Sequence, residues 1–153
     1  MTLGLDSILG NHAFVQGLTV EQIKTLASLA TQVAFDENQI ILADREHSSA
    51  FYFLVSGSVA VELRSARYAV CVQALGPGQI FGWSALLDQQ DTLFQVRARE
   101  KTTALRIEGT TLKQLCRTDP QLGTDILQRT LQVVASRVRA TEERFAEMCG
   151  IRI

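Results

Sequence analysis

The sequence predicts a mainly β fold with flanking helices: an antiparallel jelly-roll barrel (double-stranded β-helix type) between an N-terminal helix and a long C-terminal one. Two observations predict it. Residues 31–108 break into short runs rich in Val, Ile, Phe and Tyr, separated by polar turns, which is the signature of a sandwich or small barrel. The segments before and after, residues 1–30 and 110–149, carry helical periodicity instead.

The first helix opens at Leu18-Thr19-Val20-Glu21-Gln22, where Thr19 can cap and Gln22 can complete a capping box. Ile23, Leu26, Ala27, Leu29 and Ala30 follow at helical spacing, and Phe14 and Leu18 are expected to pack back on this helix. Strands are expected at Val33–Phe35, Ile40–Leu42, Phe51–Val55, Ser58–Leu63, Tyr68–Leu75, Phe94–Arg99 and Thr103–Ile107. Alternation puts Val59, Val61 and Leu63 on one face, while Ser56-Gly57 and Gly76-Pro77-Gly78 mark turns.

Beyond the strands, Thr110–Cys116 reads as a short helix. Asp119-Pro120 then supplies a cap and a first-turn proline for a helix reaching about Met148. Along it, Leu127, Leu131, Val134, Val138, Thr141, Phe145 and Met148 alternate in steps of four and three, an a/d seam. A helix lying on its own domain shows a broader apolar stripe, so a parallel homodimer through this seam is expected. Ile126 and Val133 form a second, shorter row for the home domain. Thr141 is a polar d residue within the seam.

Composition sets limits on function. The net charge is −1, which argues against a nucleic-acid partner, since phosphate binding draws on a surplus of Lys and Arg. Met1–Gly10 lacks a basic region followed by an apolar run, and no stretch approaches the roughly 18 apolar residues of a membrane span. Cys71, Cys116 and Cys149 are widely spaced, and His12 and His47 are the only histidines, so no metal site and no cofactor is expected. Idle thiols of this kind fit a cytoplasmic protein. No Ser/His/Asp set or pair of convergent carboxylates stands out, so no enzymatic activity is expected.

The order of these parts resembles the cyclic-nucleotide-binding domains, in particular the sensor half of Crp/Fnr-type regulators. Phe51-Tyr52-Phe53-Leu54-Val55-Ser56-Gly57-Ser58-Val59 is similar to the family's strand–Gly–strand signature. Leu75-Gly76-Pro77-Gly78-Gln79-Ile80-Phe81-Gly82 resembles the approach to its phosphate-binding cassette, here residues 82–95. Val96-Arg97-Ala98 resembles the strand that leaves it, and Asp119-Pro120 with Ser136-Arg137-Val138 resembles its closing helix. In such binders a Glu after the cassette Gly accepts from the ribose 2′-hydroxyl, and an Arg further on pairs with the cyclic phosphate.

Both positions differ in this sequence. Gly82 is followed by Trp83; Thr92 and Leu93 stand where Arg and a small residue are expected. Loss of the charge-assisted phosphate contact costs roughly 2–5 kcal/mol. Loss of the ribose acceptor adds about 1–3 kcal/mol. Tight binding of cAMP or cGMP is therefore not expected. Trp83 can stack on a planar ligand or fill the cavity itself, and the N–H groups of Ser84, Ala85 and Leu86 can face an anion. Thr141 matches a closing-helix Thr that contacts the base across the family's dimer, but the residue after it is Glu142 rather than Ser.

The resemblance thus implies a homodimeric regulatory module that senses another small molecule and signals to a partner protein. A ligand-free interaction subunit with a self-filled pocket is the first alternative, and a true cAMP-binding protein of Crp/Fnr descent the second. Only Gly150-Ile151-Arg152-Ile153 follow Cys149, so direct DNA reading by a helix-turn-helix is not expected of these residues.

Overall fold

A computed structural model describes residues 4–88 and 91–152. Two antiparallel four-stranded sheets form the jelly roll. The strands are β1 (Thr31–Phe35), β2 (Ile40–Leu42), β3 (Ala50–Ser56), β4 (Val59–Arg64), β5 (Ala69–Leu75), β6 (Ile80–Phe81), β7 (Phe94–Ala98) and β8 (Thr102–Glu108). Their order is β1-β8-β3-β6 in one sheet and β2-β7-β4-β5 in the other. The predicted mainly β barrel with flanking helices is therefore the observed fold, with β6 as a strand the sequence reading did not name. The chain divides into two compact units, one up to Gln114 and one from Leu115 onward.

β3 is central and buried on both faces from Ala50 to Leu54, as its unbroken apolar run requires. Tyr52 and Leu54 enter the inter-sheet core with Val59, Leu75, Phe81 and Val96. Phe51 and Phe53 lie on the opposite face. Phe14 meets both of their rings there, at 5.7 and 5.5 Å between centroids. The pairing of Phe14 with a strand was not foreseen, because nothing local announces it.

His12 fastens the same segment. Its Nδ1 accepts the Phe14 N–H at 3.2 Å, which leaves Nε2–H to donate to the Leu54 carbonyl at 3.0 Å. Burial pushes its pKa below the usual 6.5, so the ring is held neutral.

In the second sheet Val59 and Val61 face the core as the alternation predicts. Leu63 shares their face but remains exposed at the strand's far end. Ala60 and Glu62 face outward and are nonetheless buried. Glu62 receives two hydrogen bonds from Arg97, at 2.9 and 2.7 Å, and one from Gln95 at 2.9 Å. Arg97 in turn donates to Asn38 at 2.7 Å. The paired guanidinium holds the Glu62 carboxyl below its ordinary range.

The helices are α1 (Leu5–Gly10), α2 (Val20–Ser28), α3 (Gly109–Thr118) and α4 (Pro120–Met148). α2 carries the complete Thr19/Gln22 capping box. α4 begins at the Asp119 cap, whose side chain accepts the Leu122 N–H, with Pro120 in the first turn. On α4 the row Leu122, Gly123, Ile126 and Thr130 is buried, and Val133 is half-buried. The predicted seam lies elsewhere on the helix: Leu127, Leu131, Val138, Phe145 and Met148 are exposed, to 66% at Leu131 and 84% at Met148. Val134 is half-buried, and the Thr141 hydroxyl donates to the Arg137 carbonyl of its own helix at 2.9 Å.

Candidate functional site

The cassette begins where β6 ends. Gly82 adopts a left-handed conformation, with φ 77° and ψ 23°. A Cβ there would stand 2.5 Å from the Ala50 carbonyl oxygen and 3.1 Å from Ser48 Oγ. Conformation and space both demand glycine. Behind it, the rings of Tyr52 and Phe81 stack at 4.7 Å, which fixes the floor of the turn.

Trp83–Leu86 forms a single 3-10 turn. Its polar groups are largely engaged within the protein. The Ala85 N–H donates to the Gly82 carbonyl at 3.0 Å, and the Leu87 N–H to the Ser84 carbonyl at 3.0 Å. The buried Ser84 hydroxyl accepts the Ser48 N–H at 3.2 Å. Of the N–H groups the sequence reading assigned to an anion, that of Ala85 is thus bonded within the turn, while Ser84 Oγ accepts from a neighbouring loop. Trp83 is half-buried, and Leu86 lies in the core.

On the returning limb, the Thr92 hydroxyl donates to the Phe94 carbonyl at 3.3 Å, and Leu93 stands 60% exposed. Residues 82–95 contain no Lys or Arg, while Asp88 and Asp91 both belong to them. Lys113 of α3 pairs with Asp88 at 3.0 Å. A stretch of this composition is electronegative, the opposite of a phosphate cradle.

The loop between β2 and β3, which the sequence reading passed over, clasps both limbs. Arg45 N–H donates to the Thr92 carbonyl at 2.7 Å, His47 Nε2 bonds the Leu87 carbonyl at 2.7 Å, and Ser48 N–H reaches Ser84. These residues lie some forty positions from their partners in the chain. Only the tertiary fold brings them together. The seam residues of α4 and Thr141 belong to the second compact unit, where they form one continuous exposed row with the half-buried Val134. Among the described residues no group of His, Cys, Asp and Glu is placed to hold a metal ion, and the three cysteines are free. No helix among them is long and apolar enough to cross a membrane.

The jelly roll, the Gly-led cassette and the closing helix define a class, and comparison with known proteins gives the same one. Residues 32–119 match the cyclic nucleotide-binding domain family, and the chain belongs to it. Among curated proteins it is 26% identical over 136 residues to Glutaminase 2 of Bradyrhizobium diazoefficiens, covering 89% of this chain and 21% of that protein. The chain therefore spans about a fifth of that relative's length. Among solved structures, a cyclic nucleotide-binding domain from Methylobacillus flagellatus superposes with a TM-score of 0.79 at 20% identity, over 95% of this chain and 82% of that one. The regulatory subunit of a cAMP-independent protein kinase A from Trypanosoma brucei superposes with a TM-score of 0.68 at 22% identity, over 82% and 45%. A form of that subunit with three substitutions, one of them Thr to Arg, was solved with cAMP in its A site (TM-score 0.67, 23% identity, 82% and 45% covered). At these identities the structures speak for the fold alone.

Proposed function

We propose that this chain is a regulatory module that has given up tight cyclic-nucleotide binding and answers to a different small molecule. One observation carries the reading: the cassette holds Trp83 and Thr92 where a ribose acceptor and a phosphate-binding guanidinium belong, and residues 82–95 contain no cation. A cyclic phosphate held at Thr92 would find no guanidinium within the cassette to pair with. The output is a conformational bias passed to a protein partner through a homodimer formed by the exposed row on α4, a two-state element shared by both chains. The match to a segment of a glutaminase supports a module of this kind working beside a larger effector. The Trypanosoma subunit, which belongs to a cAMP-independent protein kinase A, supports the idea that the fold can regulate without cAMP.

The test uses calorimetric titration with cAMP and cGMP. The wild-type chain is expected not to saturate at ~100 μM, given the roughly 30-fold or greater loss implied by one missing charge-assisted contact. A Trp83→Glu/Thr92→Arg double variant should gain at least about 30-fold in cAMP affinity. Saturation of the wild-type chain at low micromolar cAMP would return it to ordinary cyclic-nucleotide signalling and sink the reading. A second reading, a constitutive interaction subunit, draws support from the Ala85 N–H and Ser84 Oγ, both bonded within the protein. It requires that no small molecule of any class raises the unfolding temperature.

A further inference from the structure

A single loop between β2 and β3, residues 43–49, holds both limbs of the cassette. On the returning limb, the Arg45 N–H donates to the Thr92 carbonyl at 2.7 Å. On the outgoing limb, His47 Nε2 donates to the Leu87 carbonyl at 2.7 Å, and the Ser48 N–H to Ser84 Oγ at 3.2 Å. Asp44 ties the start of the loop to Arg64 of β4 at 3.3 Å. The buried Ser48 anchors its end, donating from Oγ to the Ala50 carbonyl at 2.6 Å. The loop is fastened at both ends and bridges the two limbs in between.

That bridge is made under strain. Arg45 has a φ of +62°, and apart from Asn38 it is the only non-glycine residue with positive φ among the described residues. Asn tolerates that region, and Asn38 is held there by its own N–H to the Ala98 carbonyl at 2.8 Å and by Arg97. Arg lacks that tolerance, and the Arg45 side chain is exposed, so no burial of it offsets the backbone. The cost of a left-handed backbone is of the same order as the worth of one exposed hydrogen bond, and one such bond, to Thr92, opposes it. His47 is exposed as well, so water competes for the bonds to either limb.

We propose that loop 43–49 is a strained latch on the cassette. Closed, as in this structure, it staples the two limbs together. Released at Arg45 and His47, it lets them part while the barrel stays folded, with the buried Ser48 as the pivot. Strain at residue 45 keeps the closed state from being overwhelmingly favoured, which a cassette that changes state requires. The latch is the moving part of the regulatory module proposed above and rests on that reading, yet its opening can be observed without any ligand.

Native-state hydrogen exchange of the ligand-free chain, followed by NMR over a range of low urea concentrations, tests it. In the wild-type chain the amide of Arg45 should be at least about 100-fold less protected than that of Leu54, whose N–H bonds the Gln79 carbonyl at 2.9 Å from the core of β3. Its exchange should be nearly independent of urea, because a local opening exposes little surface, whereas Leu54 should follow global unfolding. Arg45→Asn, which relieves the backbone and keeps the N–H, should raise protection at position 45 on the order of 3- to 10-fold. Arg45→Ala removes the exposed side chain but keeps the strain, and should leave protection within about twofold. His47→Ala, which deletes the bond to Leu87, should lower it about 3- to 10-fold. An Arg45 amide that shares the urea dependence of Leu54, or that gains no protection in Arg45→Asn, overturns the latch. An equal gain in Arg45→Ala overturns it too, since the side chain and not the backbone would then be responsible. The cAMP titration is read separately: low-micromolar binding would overturn the cyclic-nucleotide-independent reading without bearing on these exchange rates.

Discussion

Gly82 is where local and tertiary constraints meet most sharply. The left-handed backbone alone costs an alanine about 1–2 kcal/mol. The 2.5 Å approach to the Ala50 carbonyl adds an overlap that backbone atoms cannot easily relieve. Gly82→Ala should therefore lose about 2–4 kcal/mol in urea unfolding, a cost within the ordinary surface range being the contrary result. Glu62 presents a different case, since its carboxylate is buried and bonded on three sides. Glu62→Gln keeps the shape but leaves Arg97 without a counter-charge. Because the Arg97 side chain is 30% exposed, the expected loss is about 1–3 kcal/mol, below that of a fully buried pair. Urea midpoints for Glu62→Gln, Arg97→Gln and the Glu62→Gln/Arg97→Gln pair, read as a double-mutant cycle, isolate the coupling.

At the scale of elements, legibility followed the density of local signals. α4 was predicted to its ends because Asp119 and Pro120 announce its start and the seam runs to Met148. α2 was announced by its capping box. α1 escaped notice because Gly4 offers no side-chain cap, and β6 because two residues cannot show a period. The cassette substitutions at Trp83 and Thr92 could be seen in the sequence, since each departs from a spaced pattern. The clasping loop with Arg45, His47 and Ser48 could not, since a polar run between strands looks like any turn. The α4 seam carries its own prediction. Leu131 is 66% exposed in the middle of an apolar row, and pairing that row with its copy would bury it. In sedimentation equilibrium the wild-type chain should appear at twice its monomer mass. Leu131→Asp should weaken dimerisation about 100-fold or more, because two carboxylates would face each other across the axis. A wild-type monomer at all concentrations would remove the seam from the mechanism.

For the whole molecule, two buried titratable groups set how the barrel responds to acid, and they act in the same direction. His12 is neutral in the fold and has a depressed pKa, so the unfolded chain binds its proton first. Its contribution is complete above about pH 6.5 and is lost as pH falls below that value toward the folded pKa. Glu62 is ionised in the fold, also with a depressed pKa. Its contribution is complete above about pH 4.5 and is lost as pH falls further. Stability should therefore decline in two stages on acidification. The first loosens the tie between the N-terminal segment and β3, where His12 bonds Leu54; the second weakens the outer face of the β4–β7 pair. Thermal unfolding followed from pH 8 to about pH 3 tests this. His12→Gln, which can still donate an N–H but carries no titratable ring, should flatten the upper stage and leave the lower one intact. Glu62→Gln should do the reverse. If the upper stage persists in His12→Gln, proton uptake at some other group governs the response to mild acid, and the N-terminal tie is not the element that fails first.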